Sequence, residues 1–177
     1  MRHYMFTTTF WDNLPNAIEK PKLDNDPFWS QYPRTHPHAV IHIAILAQPY
    51  LDLVLNSKKT VESRFSADRR APYQQVNAGD VVLLKQVSGP ICGIARVARV
   101  WYYEVNPKVF WSIRCNFGAR LHIEDPEMWD RFKKASYATL IQLNNVQRLN
   151  PISYVKRDQR AWVIFRPEST QLTLPFE

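Results

Sequence analysis

The chain has 177 residues, 45% of them hydrophobic and 13% aromatic, with a net charge of +7 and a pI of about 9.5. That length suits one domain with a sizeable core, or one domain with an ordered extension. No apolar run approaches the ~20 residues of a membrane span, and the two cysteines, Cys92 and Cys115, lack metal-ligand spacing and are too few for a disulfide framework.

The opening residues contain no apolar stretch of the signal-peptide kind. A soluble, cytoplasmic protein is therefore expected, with reduced thiols and Cys92 in the core. The charge is uneven: residues 1–37 hold four basic and four acidic side chains, so the whole excess lies after residue 37. A basic domain favours polyanions such as RNA or DNA; an ordinary basic surface is the alternative.

Residues 1–37 hold five of the thirteen prolines and no glycine. Proline argues against long regular elements. The aromatics Tyr4, Phe6, Phe10, Trp11, Phe28, Trp29 and Tyr32 argue against a free tail. An irregular arm packed on the domain of residues 38–177 is expected, or one that docks on a protein partner or on bases. Val40–Leu46 then reads as a strand with Ile41, Ile43 and Ile45 on one face. Pro49 opens a short helix, Tyr50–Leu55. Thr60–Phe65 is the next strand, followed by the basic loop Ser66–Tyr73. The turn Ala78-Gly79-Asp80 leads to a strand at Val81–Lys85, and Ser88-Gly89-Pro90 to a long strand at Ile91–Tyr103. Short strands joined by glycine turns predict an antiparallel, strongly bent sheet or small barrel. Pro107 begins a helical stretch that Gly118 interrupts, and Asp125-Pro126 begins another, with Met128, Trp129 and Phe132 on one face. Tyr137–Leu149 is a strand bounded by Asn150-Pro151. Ala161–Arg166 is the last.

The chemistry concentrates in Asn56–Ser66. Alternation along a strand puts Thr60, Glu62 and Arg64 on one side and Val61, Ser63 and Phe65 on the other. Lys59 stands just before them. A carboxylate between cations, on a strand backed by aromatics, makes a polar floor for a pocket. Exposed ion pairs contribute only ~0–1 kcal/mol, so stability alone is a weak reason for the pairing.

Ser57-Lys58-Lys59-Thr60-Val61-Glu62-Ser63-Arg64 resembles the Gly-x-Lys-x-x-Glu-x-Arg signature of the ASCH domain family, relatives of the PUA fold, with Ser57 in place of the glycine. The Pro-Tyr helix before it, the Ala78-Gly79-Asp80 turn after it and the closing Arg160-Ala161-Trp162 also look like this family. The resemblance covers roughly residues 40–166. It implies an α+β, PUA-like β-pseudobarrel of five or six strands with short helices at its openings. It also implies a cleft, lined by the signature, that binds RNA or nucleotides. Some small members are amidohydrolases of acetylated cytidine, and some are reported to cleave RNA. Those amidohydrolases carry threonine three positions after the lysine, where this chain has Glu62.

On this footing Glu62 would accept hydrogen bonds from a base edge, and Arg64 would hold a phosphate or stack on a base. Lys59 would add a second cation. Ser66, Arg69 and Arg70 could continue a phosphate path, Lys85 could point into the same cleft, and Tyr50 and Trp162 could be stacking platforms. Each has a plain alternative as a solvated cation or core aromatic. His42 could look into the cleft or face solvent. His36 and His38 have no recognisable third ligand, so neither metal nor cofactor is expected. Three functions follow: capture of single-stranded RNA or a modified nucleotide; a small metal-independent hydrolase using Lys59, Thr60 and Glu62; or a protein-interaction domain working through residues 1–37.

Overall fold

The computed structural model describes residues 28–36, 38–154 and 159–165. In chain order these form α1 (Phe28–Thr35), β1 (Ile41–Leu46), α2 (Tyr50–Leu55), β2 (Val61–Ser66), β3 (Val81–Gln86), β4 (Ile91–Glu104), α3 (Pro107–Leu121), α4 (Pro126–Phe132), β5 (Tyr137–Ile152) and β6 (Trp162–Phe165). The strands make one six-stranded sheet in the order β2-β5-β4-β3-β1-β6. It curls into a half-barrel, with β2 and β6 as its two edges. The long strands β4 and β5 supply the bend, because their register slips between Ile91 and Gly93, Ile94 and Arg96, and Val97 and Arg99.

The sheet is mixed rather than antiparallel throughout: β1 and β3 run parallel, with Ile41 opposite Val81 and Ile45 opposite Lys85. Residues 47–80 lie between them, so the chain crosses over through α2 and β2 before returning in the same direction. Alternation separates two packing layers across β1 and β3. Ile41, Ile43, Val81 and Leu83 pack with Trp29 and Tyr32 of α1 on the outer face. Ala44, Leu46, Val82 and Leu84 look into the half-barrel with Leu51, Val54 and Leu55 of α2, Ile141 and Trp162. A third cluster covers the outer face of β2 and β5 with Phe110, Ile113 and Phe117 of α3 and Trp129 of α4.

Several boundaries differ from the sequence reading for physical reasons. The expected irregular arm contains α1 in its described part, while residues 1–27 lie outside the described residues. Phe28 and Tyr32 sit at i and i+4 with Trp29 between them, and the three rings meet edge-on or tilted; the proline count hides this pattern. Gly118 does not interrupt α3, which runs to Leu121 and is capped by Asn106 accepting from the Val109 N–H at 2.9 Å. Strand β5 passes through Pro151 to Ile152. Beyond Gln142 β4 is its one ladder partner among the described residues, so the missing proline N–H is tolerated there. Arg166, expected to end the last strand, lies outside the described residues. Cys92 is half-buried against the inner cluster and Cys115 is exposed.

Gly93 fixes how closely α2 approaches the sheet. A Cβ there would stand 2.5 Å from Leu55 Cδ2 and 3.1 Å from Leu84 Cδ1, whereas one at Gly118 would meet nothing within 4 Å. Gly93→Ala is therefore expected to destabilise by about 1–3 kcal/mol through overpacking. Gly118→Ala should stabilise by ~1 kcal/mol through helix propensity. Urea denaturation of the two variants checks the opposite signs, and effects of the same sign would contradict this packing.

Candidate functional site

The site begins where α2 ends. Ser57 adopts the left-handed region at φ 56°. The Ser57 N–H donates to Val54 O at 2.9 Å and the Lys58 N–H to Leu53 O at 2.8 Å, the paired bonds of a Schellman stop. The position at which the signature has glycine is thus one that needs φ > 0, and serine occupies it here at some conformational cost. The turn also lets the Lys59 N–H reach Leu53 O at 2.9 Å. β2 starts only at Val61, so Lys59 is outside the strand's alternation and turns inward beside Glu62.

The three signature charges meet inside the fold. Lys59 is 3% exposed; its Nζ donates to Leu121 O at 2.7 Å and lies 3.6 Å from Glu62 Oε2, a Coulombic contact longer than a hydrogen bond. Arg64 Nη2 reaches Glu62 Oε1 at 3.1 Å. Arg64 does more than pair: Nη1 donates to Ala161 O and Nη2 to Ile45 O, each at 3.1 Å, and its guanidinium lies 5.3 Å from the Trp162 ring centroid. Ile45 belongs to β1 and Ala161 precedes β6, whereas Arg64 is on β2. One side chain therefore ties the two open edges of the half-barrel together.

A second polar chain leads on from Trp162. Its indole Nε1 donates to His42 Nδ1 at 3.2 Å, and His42 Nε2 lies 3.1 Å from Asp80 Oδ2. Because Nδ1 accepts, the ring proton belongs on Nε2, which donates to Asp80. Asp80 also accepts the N–H groups of Val40 at 3.0 Å and Asn77 at 2.7 Å. His42, fully buried, thus faces the barrel interior and not solvent.

Burial pushes the Lys59 amine below its ordinary value, with Arg64 adding to the fall and Glu62 opposing it. The Tyr50 phenol is pushed up by burial first, then by the carboxylates of Asp125, Glu124 and Glu62. Its ring lies 5.7 Å from Lys59 Nζ, and its hydroxyl contacts Met128 Sδ at 3.5 Å.

Lys59, Glu62, Arg64, Tyr50 and Trp162 are therefore brought together. The Trp162 ring is 3% exposed and is engaged by Arg64. Thr60 stands at the head of β2, its carbonyl accepting from the Leu143 N–H at 3.0 Å. The remaining candidates are placed elsewhere. Ser66 Oγ donates to Asp68 O at 2.7 Å, Arg69 pairs with Glu104 at 2.7 Å, and Arg70 pairs with Asp68. Lys85 alternates with Val81 and Leu83, which puts it on the outer face, where Nζ donates to Gln86 O at 3.0 Å and Gly89 O at 2.5 Å. His36 stacks on Tyr32 at 4.1 Å. Among the described residues no group of three or more His, Cys, Asp or Glu could hold a metal ion, and no helix is long and apolar enough to cross a membrane.

The sequence reading missed Thr139. It lies directly opposite Arg64 across β2 and β5 and is 1% exposed; among the described residues its Oγ1 has no partner, and Arg64 Nε is likewise buried without one. Register between β2 and β5 was the only signal that could have found it, and register is not written in either strand alone.

Two comparisons found nothing: no family model matches the chain, and no curated relative does. Solved structures do match. A serine-to-alanine variant of the ASCH protein of Zymomonas mobilis superposes with a TM-score of 0.57 at 18% identity, covering 74% of this chain and 92% of that one. The ASCH protein of Zymomonas mobilis itself gives a TM-score of 0.53 at 16% identity, covering 74% and 91%. The fold is ASCH-like. The signature segment thus lies in an ASCH-like pseudobarrel, at the place where Arg64 joins its edges.

Lys59 gives this geometry a pH signature. Its folded pKa lies below the ordinary 10.5. Between the two values the unfolded chain holds a proton that the folded amine has lost, so this group's contribution to stability rises with pH through that window. In urea denaturation across an alkaline series, the stability of the wild type relative to Lys59→Met should increase as pH climbs towards 10.5. A flat or falling difference would contradict a buried, desolvated amine.

Proposed function

We propose that this ASCH-like domain binds single-stranded RNA or a modified nucleotide at the Lys59–Glu62–Arg64 cluster. The observation that carries the proposal is the pair of orphaned polar atoms beside it, Arg64 Nε and Thr139 Oγ1. Buried donors and acceptors are nearly always satisfied, and an orphan costs about 1–3 kcal/mol. A guest offering a phosphate oxygen to Nε and a polar group to Thr139 relieves that cost. Two cations against one carboxylate leave the cluster with a net positive charge, which suits an anionic guest. Glu62 keeps acceptor capacity for a base N–H or exocyclic amine. The basic excess after residue 37 draws a polyanion to the domain.

A hydrolase is the second reading, and the depressed Lys59 amine next to Glu62 favours it. Such a lysine can exchange a proton near neutral pH more readily than an exposed one. Glu62 would polarise water and Lys59 would protonate the leaving group, with Thr60 at the strand head beside them. A protein contact through residues 1–37 would need side chains other than Trp29 and Tyr32, which are buried against the sheet.

Titration of nucleoside monophosphates and short single-stranded RNAs tests the first reading. Arg64→Ala and Thr139→Val should each weaken binding by about tenfold, the loss of one charge-assisted or one buried hydrogen bond, in variants whose circular dichroism matches the wild type. Unchanged affinity in both would remove the cluster as the binding site. Turnover of acetylated nucleosides or labelled RNA that disappears in Lys59→Ala would establish the second reading instead.

A further inference from the structure

Six arginines of this domain contrast in their partners. Arg69, Arg70 and Arg131 pair with Glu104, Asp68 and Asp125. Arg99, Arg114 and Arg120 pair with no carboxylate among the described residues, and each lies over aromatic rings. Arg99 and Arg120 flank Trp101, with 5.7 and 5.8 Å to its ring centroid, and Arg120 also lies 4.7 Å from Phe117. Arg114 stands 5.3 Å from Trp111 and 5.5 Å from Trp129. Asp130 feels the charge of Arg114 but bonds Lys133 at 2.9 Å.

All of these residues border α3. Helical spacing puts Trp111 and Arg114 on the flank facing α4 and Arg120 on the flank facing β4. Arg99 and Trp101, two apart, share the outer face of β4. Helix α3 contains Lys108, Arg114 and Arg120 and no acidic residue. Trp111 is 53% exposed, an unusual state for the largest apolar side chain. Gly118, seven residues after Trp111, leaves the same flank open.

A guanidinium over a ring keeps its edge N–H donors for other partners; Arg120 uses one of them on Asn116 O at 3.4 Å. Three arginines thus lie over rings with no carboxylate partner among the described residues, and one of them, Arg114, stands beside the exposed Trp111. That is the chemistry of a strand of nucleic acid: phosphates for the arginine edges and a base for Trp111. An acidic peptide would match the charges but gives Trp111 no planar partner.

We infer that the outer surface formed by α3 and β4 is a second contact for single-stranded RNA, separate from the Lys59–Glu62–Arg64 cluster, with Arg99, Arg114 and Arg120 on phosphates and Trp111 stacked on a base. The choice of RNA rests on the proposed function; the surface itself does not. It makes the domain a reader of strands longer than a nucleotide.

Fluorescence anisotropy with the full chain and a labelled single-stranded RNA of about 12 nucleotides, within the span of one small domain, tests this. Replacing Arg99, Arg114 and Arg120 together by Ser should weaken binding at least tenfold and flatten the log K against log salt slope by about 2. Trp111→Ala should weaken it about fivefold and leave the slope unchanged. Binding of a nucleoside monophosphate should be unaffected in both. Wild-type strand binding retained by both variants would overturn the surface and spare the cluster. Strand binding lost in the arginine variant but unchanged in Arg64→Ala would sustain the surface and remove the cluster. A change in the protein's own sedimentation without any change in RNA affinity would make this face a self-contact and overturn the inference.

Discussion

The structure depends on one side chain that spans an opening. A six-stranded sheet in the order β2-β5-β4-β3-β1-β6 has two edges, and among the described residues no strand pairing closes it. Arg64 does so from β2, with donors to Ile45 of β1 and to Ala161 ahead of β6, and with its cation over the Trp162 ring. Charge-assisted bonds of this kind are roughly twice as strong as neutral ones. The cation must itself be neutralised where it is mostly buried, and Glu62 does that. Glu62 in turn makes the burial of Lys59 tolerable. Closure of the barrel and assembly of the polar cluster are one event.

This coupling accounts for the long polar chain behind the cluster. Trp162 is held by Arg64 over its ring and by His42 at its indole nitrogen. His42 is fixed by Asp80, which also gathers the N–H groups of Val40 and Asn77. On the other side Lys59 binds the last carbonyl of α3. The site therefore sits where the turn before β3, both sheet edges and the end of α3 converge. A perturbation at any of these reaches Arg64, and the orphaned atoms at Arg64 and Thr139 lie within that frame.

Local pattern carried much of this into the sequence. Alternating isoleucines announce β1, proline after Asn106 and Asp125 announces α3 and α4, and the Lys-x-x-Glu-x-Arg spacing announces the cluster. What stayed hidden is non-local. The parallel pairing of β1 with β3, the place of Thr139 opposite Arg64 and the reach of Arg64 to Ile45 and Ala161 all depend on which strands become neighbours. Local signals also misled where two compete. Prolines outweighed the aromatic spacing of α1. Gly118 reads as a break on propensity alone, but the packing of Phe110, Ile113 and Phe117 holds α3 together. At the end of β3 Lys85 could point into the cleft or stand on the rim; its parity with Val81 and Leu83 assigns it to the outer face.

Edge closure by Arg64 is measured most directly by amide hydrogen exchange in Arg64→Met compared with the wild type. Loss of the bonds to Ile45 and Ala161 should speed exchange at Ile45 and along β6 by about tenfold or more, as the loss of a charge-assisted hydrogen bond implies. Amides of the β4–β5 ladder should change far less. Unchanged protection along β6, or an equal loss across every strand, would contradict the account.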